Sequence, residues 1–267
     1  MNMAKVNVYN TDGKDVGKVD VPKVFSTPIR QDLILRAVIA SQARSRQPYG
    51  TDITAGLKTS AHYHGRRRRV RWTMMGKEMA RMSRLHGKIP GYLMYRARKV
   101  PQAVKGRRAH PSKVEKVWEQ KINKKERKLA IRSAIAATAD RALVAERGHR
   151  IKDVKEFPIV VSDSVEELSR TADVKKALAS IGLTEELKRI GVKKIRPGKG
   201  KARGRKYRRK TGPLFVVAND RGIRMAVKGM NGVDVANVKG LSAEMLAPGA
   251  MPGRVTVWSK GAIEKLK

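Results

Sequence analysis

The densest chemistry in the chain is cationic. Arg66-Arg67-Arg68-Arg69-Val70-Arg71 sets five guanidinium groups within six residues. Each planar fork can pair two phosphate oxygens at once. Lys105-Gly106-Arg107-Arg108 repeats the theme, with a glycine that lets backbone approach backbone. The third and richest run is Lys199-Gly200-Lys201-Ala202-Arg203-Gly204-Arg205-Lys206-Tyr207-Arg208-Arg209-Lys210. Arg46, Lys58, Arg96, Arg98 and Lys99 belong to the same set of candidate anion contacts. Interleaved glycines and prolines suit a chain that threads between nucleic-acid helices. Trp72, Tyr92, Tyr95 and Tyr207 are isolated rings that can stack on unpaired bases, with Trp72 and Tyr207 the candidates retained. Met74, Met75, Met79 and Met82 read equally well as a short amphipathic helix packing on something apolar.

Catalytic patterns are missing. Gly198, Gly200 and Gly204 are off by one from dinucleotide spacing, and they precede a strand where the motif must follow one. No Gly-Lys pair is followed by Ser or Thr as a phosphate-cradling loop requires. The chain has no cysteine, so a disulfide, a thiolate nucleophile and a cysteine zinc site are all excluded. His62 and His64 share one face of a strand, but no carboxylate or third histidine is close in sequence and His110 is at the far end of the segment. A zinc site needs three or four ligands, so no metal and no cofactor is expected. Acid pairs such as Glu166/Glu167 and Glu185/Glu186 sit at helix starts, where they complement the helix dipole. Nothing assembles a nucleophile, a base and an orienting group.

These residues need a body to carry them. The chain has 267 residues, with 61 Lys+Arg against 23 Asp+Glu for a net charge of +38. A polyanionic partner is the simplest account of so much like charge. Residues 45–112 hold 17 Lys+Arg and 2 acids, and residues 193–210 hold 11 Lys+Arg and none. The first segment has 7 Gly and little apolar periodicity, so it has nothing to bury. It reads as a long extension ordered by its partner, with a solvated linker or a small helical subdomain around Met74–Arg84 as the rival reading. Aromatics at 4% argue against a reader that works mainly by base stacking. No apolar run approaches the ~20 residues that span a bilayer, and the N-terminus lacks the apolar core of a secretory leader. A cytoplasmic protein without a membrane contact is expected.

Elsewhere strands alternate with helices. Lys5–Tyr9 alternates as a strand does, Thr11-Asp12-Gly13 is a turn signal, and Asp32–Arg44 has near-helical apolar spacing. Ser112 is placed to cap a helix through Val114, Val117 and Trp118, and Asn123 a second one containing Leu129, Ala134 and Ala139. Phe157–Val161 and Leu214–Ala218 are runs suited to buried strands. Ser164-Val165-Glu166-Glu167 starts a helix with capping-box chemistry that Val174–Leu178 continues, and Thr184 starts another that Gly191 ends. A helix through Met225–Val227, strands at Gly232–Val235 and Arg254–Trp258, and a final helix from Ser259 complete the pattern. The alternation predicts an α/β fold: a mostly parallel sheet with helices on both faces, plus the long basic internal extension. Residues 1–45 and 112–267 then form one discontinuous domain, 46–111 an excursion from it, and 193–212 a second basic loop.

Several stretches carry a resemblance. They are Val24-Phe25-Ser26-Thr27-Pro28-Ile29-Arg30, Gln47-Pro48-Tyr49-Gly50-Thr51-Asp52, Ala55–Thr59, Val100–Pro111, Glu126–Ala134, Gly198–Arg209 and Ala247-Pro248-Gly249. Together, and in order, they resemble the universal family of large-ribosomal-subunit protein four, in its archaeal and eukaryotic form. The chain lacks the long C-terminal extension of the eukaryotic relatives, which suggests an archaeal member. The resemblance implies an α/β domain on the outside of the large subunit. It implies an extension that reaches through ribosomal RNA to the peptide exit tunnel, beside that of large-subunit protein twenty-two. The implied role is assembly and stabilisation of the RNA, with no catalysis, no cofactor and no homo-oligomer. Family members carry a Gly-rich tip, whereas Val70–Arg98 is Met-rich here with only Gly76, Gly87 and Gly91. Arg66–Arg71 and Arg84–Lys99 are both tip candidates. An RNA-modifying enzyme would need a cofactor fingerprint, and a nucleoid protein would be expected to show a helix-turn-helix, heptad or zinc-finger pattern.

Overall fold

A computed structural model of the chain describes residues 5–69 and 71–266. Met1–Ala4, read above for a leader, and Val70 of the arginine run lie outside the described residues. In chain order the elements are β1 (Lys5–Tyr9), β2 (Asp15–Asp20), α1 (Gln31–Ser45), β3 (His62–Tyr63), β4 (Ser83–Arg84), α2 (Lys124–Ala139) and α3 (Arg141–Glu146). There follow β5 (Ile159–Val161), α4 (Thr171–Ser180), α5 (Thr184–Gly191), β6 (Lys194–Ile195), β7 (Tyr207–Arg208), β8 (Leu214–Val217) and α6 (Ile223–Val227). The chain closes with β9 (Asp234–Asn237), α7 (Ala243–Leu246), β10 (Thr256–Ser259) and α8 (Lys260–Glu264). They fall into two compact units, Met1–Ser45 with Glu119–Lys267, and Arg46–Trp118.

The larger unit is built on a six-stranded sheet in the order β2-β1-β5-β10-β8-β9. Only the β1–β2 pair is antiparallel. Parallel strands must be covered on both faces, and alternate side chains must then be apolar in both directions. Ile159 and Val161 of β5, Phe215 and Val217 of β8 and Val257 of β10 face one core, with Val174 and Leu178 of α4 and Ile223 of α6. Val160, Leu214, Val216 and Trp258 face the other, against Ile34 and Val38 of α1, Ala130 and Ala134 of α2 and Ile263 of α8. Both clusters draw all their residues from the larger unit. The expected α/β fold with helices on both faces is therefore the observed one.

Several local expectations are corrected. Residues 112–118 form no helix, because Val114 and Val117 have no core to face and stay 60% and 81% exposed. Trp118 instead stacks on Tyr49 at 5.4 Å. Accordingly the smaller unit runs to Trp118 and not to residue 111. Residues 74–82 are turns, not a helix, with Gly76 and Glu78 both at positive φ. The Ser164 capping box does not form. Asp163–Glu167 is a 3-10 turn separate from α4, and Glu166 is drawn inward. Its buried carboxylate accepts from the Ala218 amide at 2.7 Å and the Ser259 hydroxyl at 2.7 Å. Glu186 is likewise no surface acid. It is fully buried, 2.7 Å from His149 Nδ1, and accepts two bonds from the Arg189 guanidinium. Among the described residues, no helix is long and apolar enough to cross a membrane.

Candidate nucleic-acid interface

Two basic structures are present, one in each unit. In the larger unit β6 and β7 pair antiparallel, so residues 193–212 form a hairpin where a loop was expected. A 3-10 turn at Lys199–Lys201 makes its end, with Gly198 and Gly204 at φ 77° and 78°, conformations that glycine adopts without strain. Lys199, Lys201, Arg203, Arg205, Lys206, Arg208, Arg209 and Lys210 are all exposed. Tyr207 is exposed with Lys193 over its ring at 4.6 Å. Register places Lys194 directly opposite Arg208. Like charges at such positions destabilise a hairpin unless an anion offsets them.

The base of the hairpin is fixed by the core. Arg254, buried, donates through Nε to the Gly212 carbonyl at 2.8 Å, through Nη2 to the Gly232 carbonyl at 3.2 Å and to Asp234 at 2.5 Å. The Gly212 amide donates to the Gly232 carbonyl at 2.8 Å. Gly232 is at φ 71°, and a Cβ there would sit 2.0 Å from the Lys210 carbonyl oxygen. A cleft beside the hairpin is lined by Arg209, Lys210, Arg224 and Lys228. Arg224 and Lys228 were not singled out from sequence. They sit alone in α6 and just after it, and only the fold brings them to the basic run.

The smaller unit has a different logic. Among its described residues only Ala61, His64 and Met74 are buried. β3 pairs with β4 in antiparallel register, His62 opposite Arg84, and Arg84 bridges on to Ala97. Arg84 acts as a brace, donating to the carbonyls of Ala80 at 2.9 Å and Tyr95 at 2.7 Å. Its role could not be read from sequence, since the acceptors are backbone. Arg66, Arg67, Arg68, Arg69, Arg71, Arg96, Lys105, Arg107 and Arg108 are exposed. Arg98 and Lys99 are half-buried, and Arg98 donates to the Val104 carbonyl at 2.6 Å. Lys58 pairs with Asp52. Arg46 lies 3.9 Å over the Trp118 ring. Of the sequence-predicted cations, Lys58 alone is in an ion pair among the described residues. At Gly106 the backbone does come close, since a Cβ would lie 2.0 Å from the Val100 oxygen.

Trp72 is half-buried, its ring 4.7 Å from that of His86 and 6.3 Å from that of Tyr95. His86 was missed from sequence because it is 22 residues from His64, yet its Nδ1 is 3.0 Å from His64 Nε2. His110 is exposed and outside this cluster.

An α/β unit with a basic hairpin, and a second unit whose cations almost all lack acid partners among the described residues, have the charge pattern of the class of proteins that meet polyanions. The chain belongs to the Ribosomal protein L4/L1 family, which matches residues 19–267. Among its relatives, large ribosomal subunit protein uL4 of Nanoarchaeum equitans is 47% identical over 98% of this chain and 97% of the relative. Large ribosomal subunit protein uL4 of Halobacterium salinarum is 44% identical over 98% of both chains. The protein of the same name from Methanosphaera stadtmanae is 43% identical over 99% of this chain and 96% of the relative. Family membership makes the chain a structural ribosomal protein and not an enzyme.

Proposed function

We infer that this chain is a structural constituent of the large ribosomal subunit, placed in the cytoplasm with the ribosome, that binds and stabilises large-subunit RNA. Residues 46–118 enter the RNA toward the peptide exit tunnel and help form its wall beside large-subunit protein twenty-two. The 193–212 hairpin grips a second RNA segment, and the α/β body holds the two projections on one chain. The observation that carries this reading is the cationic surface left without acidic partners: Arg66–Arg69 in one unit and Lys199–Lys210 in the other. Such cations replace counterions between RNA helices. Backbone conformation supports the same reading. Arg69, Trp72, Glu78, Tyr95, Lys99 and Lys105 all have positive φ within the smaller unit. Each costs on the order of 1 kcal/mol or more, and this unit buries too little to hold them alone. An RNA mould supplies the missing constraint.

Photo-crosslinking tests the proposal, with a benzophenone residue at Arg67 and a second at Arg205 in assembled large subunits. Crosslinks from both positions to ribosomal RNA are expected. Crosslinks to protein alone from both positions overturn it.

A further inference from the structure

Among its described residues the smaller unit has no apolar core cluster, and it gathers three imidazoles instead. His62 and His64 project from β3 and the segment after it, and His86 comes from just beyond β4. One ring nitrogen from each lies within 4.8 Å of the other two. His64 Nε2 and His86 Nδ1 already face each other at 3.0 Å, sharing one proton between two lone pairs. The rings crowd together, with centroids 4.0 Å apart for His62–His86 and 4.7 Å apart for His62–His64. His64 is one of only three buried residues among those described in this unit. A buried imidazole such as His64 is costly to desolvate unless something binds it.

We propose that His62, His64 and His86 form a zinc site that clips β3 to β4, leaving a fourth coordination position open to water or to a group of the RNA.

The donor set selects the metal. Imidazole nitrogen suits zinc and its transition-metal neighbours, whereas magnesium and calcium require oxygen ligands. Zinc takes nitrogen at about 2.0–2.1 Å in tetrahedral geometry, so two of its ligands stand about 3.3 Å apart. The 3.0 Å between His64 Nε2 and His86 Nδ1 is already close to that spacing. The outermost nitrogen needs to move inward by no more than about 1.5 Å to complete the triangle, against the tetrahedral spacing. His62 is the ring that can do so, because it is exposed. The form of imidazole that ligates a metal is the neutral one. The Trp72 ring packs on His86 at 4.7 Å and covers one side of the cluster. Three protein ligands with one open position differ from a closed structural site. That leaves room for a phosphate oxygen or base nitrogen to complete the shell once the unit meets RNA.

The test uses the full-length chain, freed of metal with a chelator and titrated calorimetrically with zinc chloride near pH 7. One zinc per chain is expected, with visible absorption of tetrahedral form when cobalt(II) replaces it. His62→Gln keeps the packing, since the ring is exposed, and is expected to weaken binding at least about tenfold. His86→Gln should do the same, and His110→Gln should change nothing. Failure to take up zinc at micromolar concentration overturns the proposal. So does unchanged affinity in both His62→Gln and His86→Gln, or an equal loss in His110→Gln.

Discussion

Replacing Arg203, Arg205, Arg208 and Arg209 together with alanine removes half of the eight exposed cations between Lys199 and Lys210. None of the four has an acidic partner among the described residues, and none belongs to either core of the larger unit. The fold should therefore survive, with an unchanged circular dichroism spectrum. Each phosphate neutralised contributes roughly −0.7 to −0.9 to the slope of log K against log salt. Four lost contacts should make the slope shallower by about 3. Between 50 and 200 mM salt the wild type should then lose roughly 60-fold more affinity than the variant does. Fluorescence anisotropy on a large-subunit RNA fragment across a potassium chloride series reads this directly. Lys5, Lys14, Lys18 and Lys23, exposed at the β1–β2 end of the sheet, serve as a control. Their joint removal should shift the slope by less than about 1 if contact and not net charge decides. A slope unchanged within about half a unit in the arginine variant would mean that these side chains meet no phosphate.

Further expectations concern the frame that holds the interface. Arg254→Ala strips a buried guanidinium from the Gly212, Gly232 and Met245 carbonyls and should cost about 3–5 kcal/mol in urea unfolding; Arg254→Lys should recover little, because a single ammonium cannot reach the same acceptors. Gly232→Ala should destabilise the hairpin base and lower the melting temperature, given the 2.0 Å approach to the Lys210 oxygen. Burial works to raise the Glu186 carboxyl, yet bonds from Arg189, His149 and the Arg150 amide hold it well below the usual range. Its contribution is present above its unfolded value and lost as pH falls through its folded one. Burial keeps His149 neutral and below its usual range, so that contribution also fades on acidification below about pH 6.5. Urea midpoints should accordingly fall from pH 7 to pH 3, and less steeply in Glu186→Gln; midpoints that rise would contradict this. A chain with residues 46–118 replaced by a short Gly/Ser linker should still unfold cooperatively, since neither core uses them; a noncooperative melt would show otherwise.

What could be read from residues alone followed burial. Ile159–Val161 and Leu214–Val217 are continuous apolar runs because both faces of a parallel strand are covered, and they were legible for that reason. Gly148 at φ 92° and Ser259 accepting from the Ala262 amide mark helix ends through local chemistry, which sequence also displays. β2 was missed because Asp15–Asp20 is an edge strand with polar residues and little burial. The helix expected at Ser112 failed on the converse ground: its apolar spacing had no surface to pack on. Within the interface, charge density identified the basic runs. The bracing of Arg84, the cluster around His86 and the approach of Arg224 to Arg209 depend on long-range partners that spacing does not encode.

Residues 46–118 and the 193–212 hairpin are proposed to hold the chain in the large subunit. The most direct measurement is sedimentation of large subunits from the native cells, washed at rising salt and probed for this chain. It should remain with the large subunit through a high-salt wash that strips loosely bound proteins. Release at low salt, or migration apart from the subunit, would contradict the account.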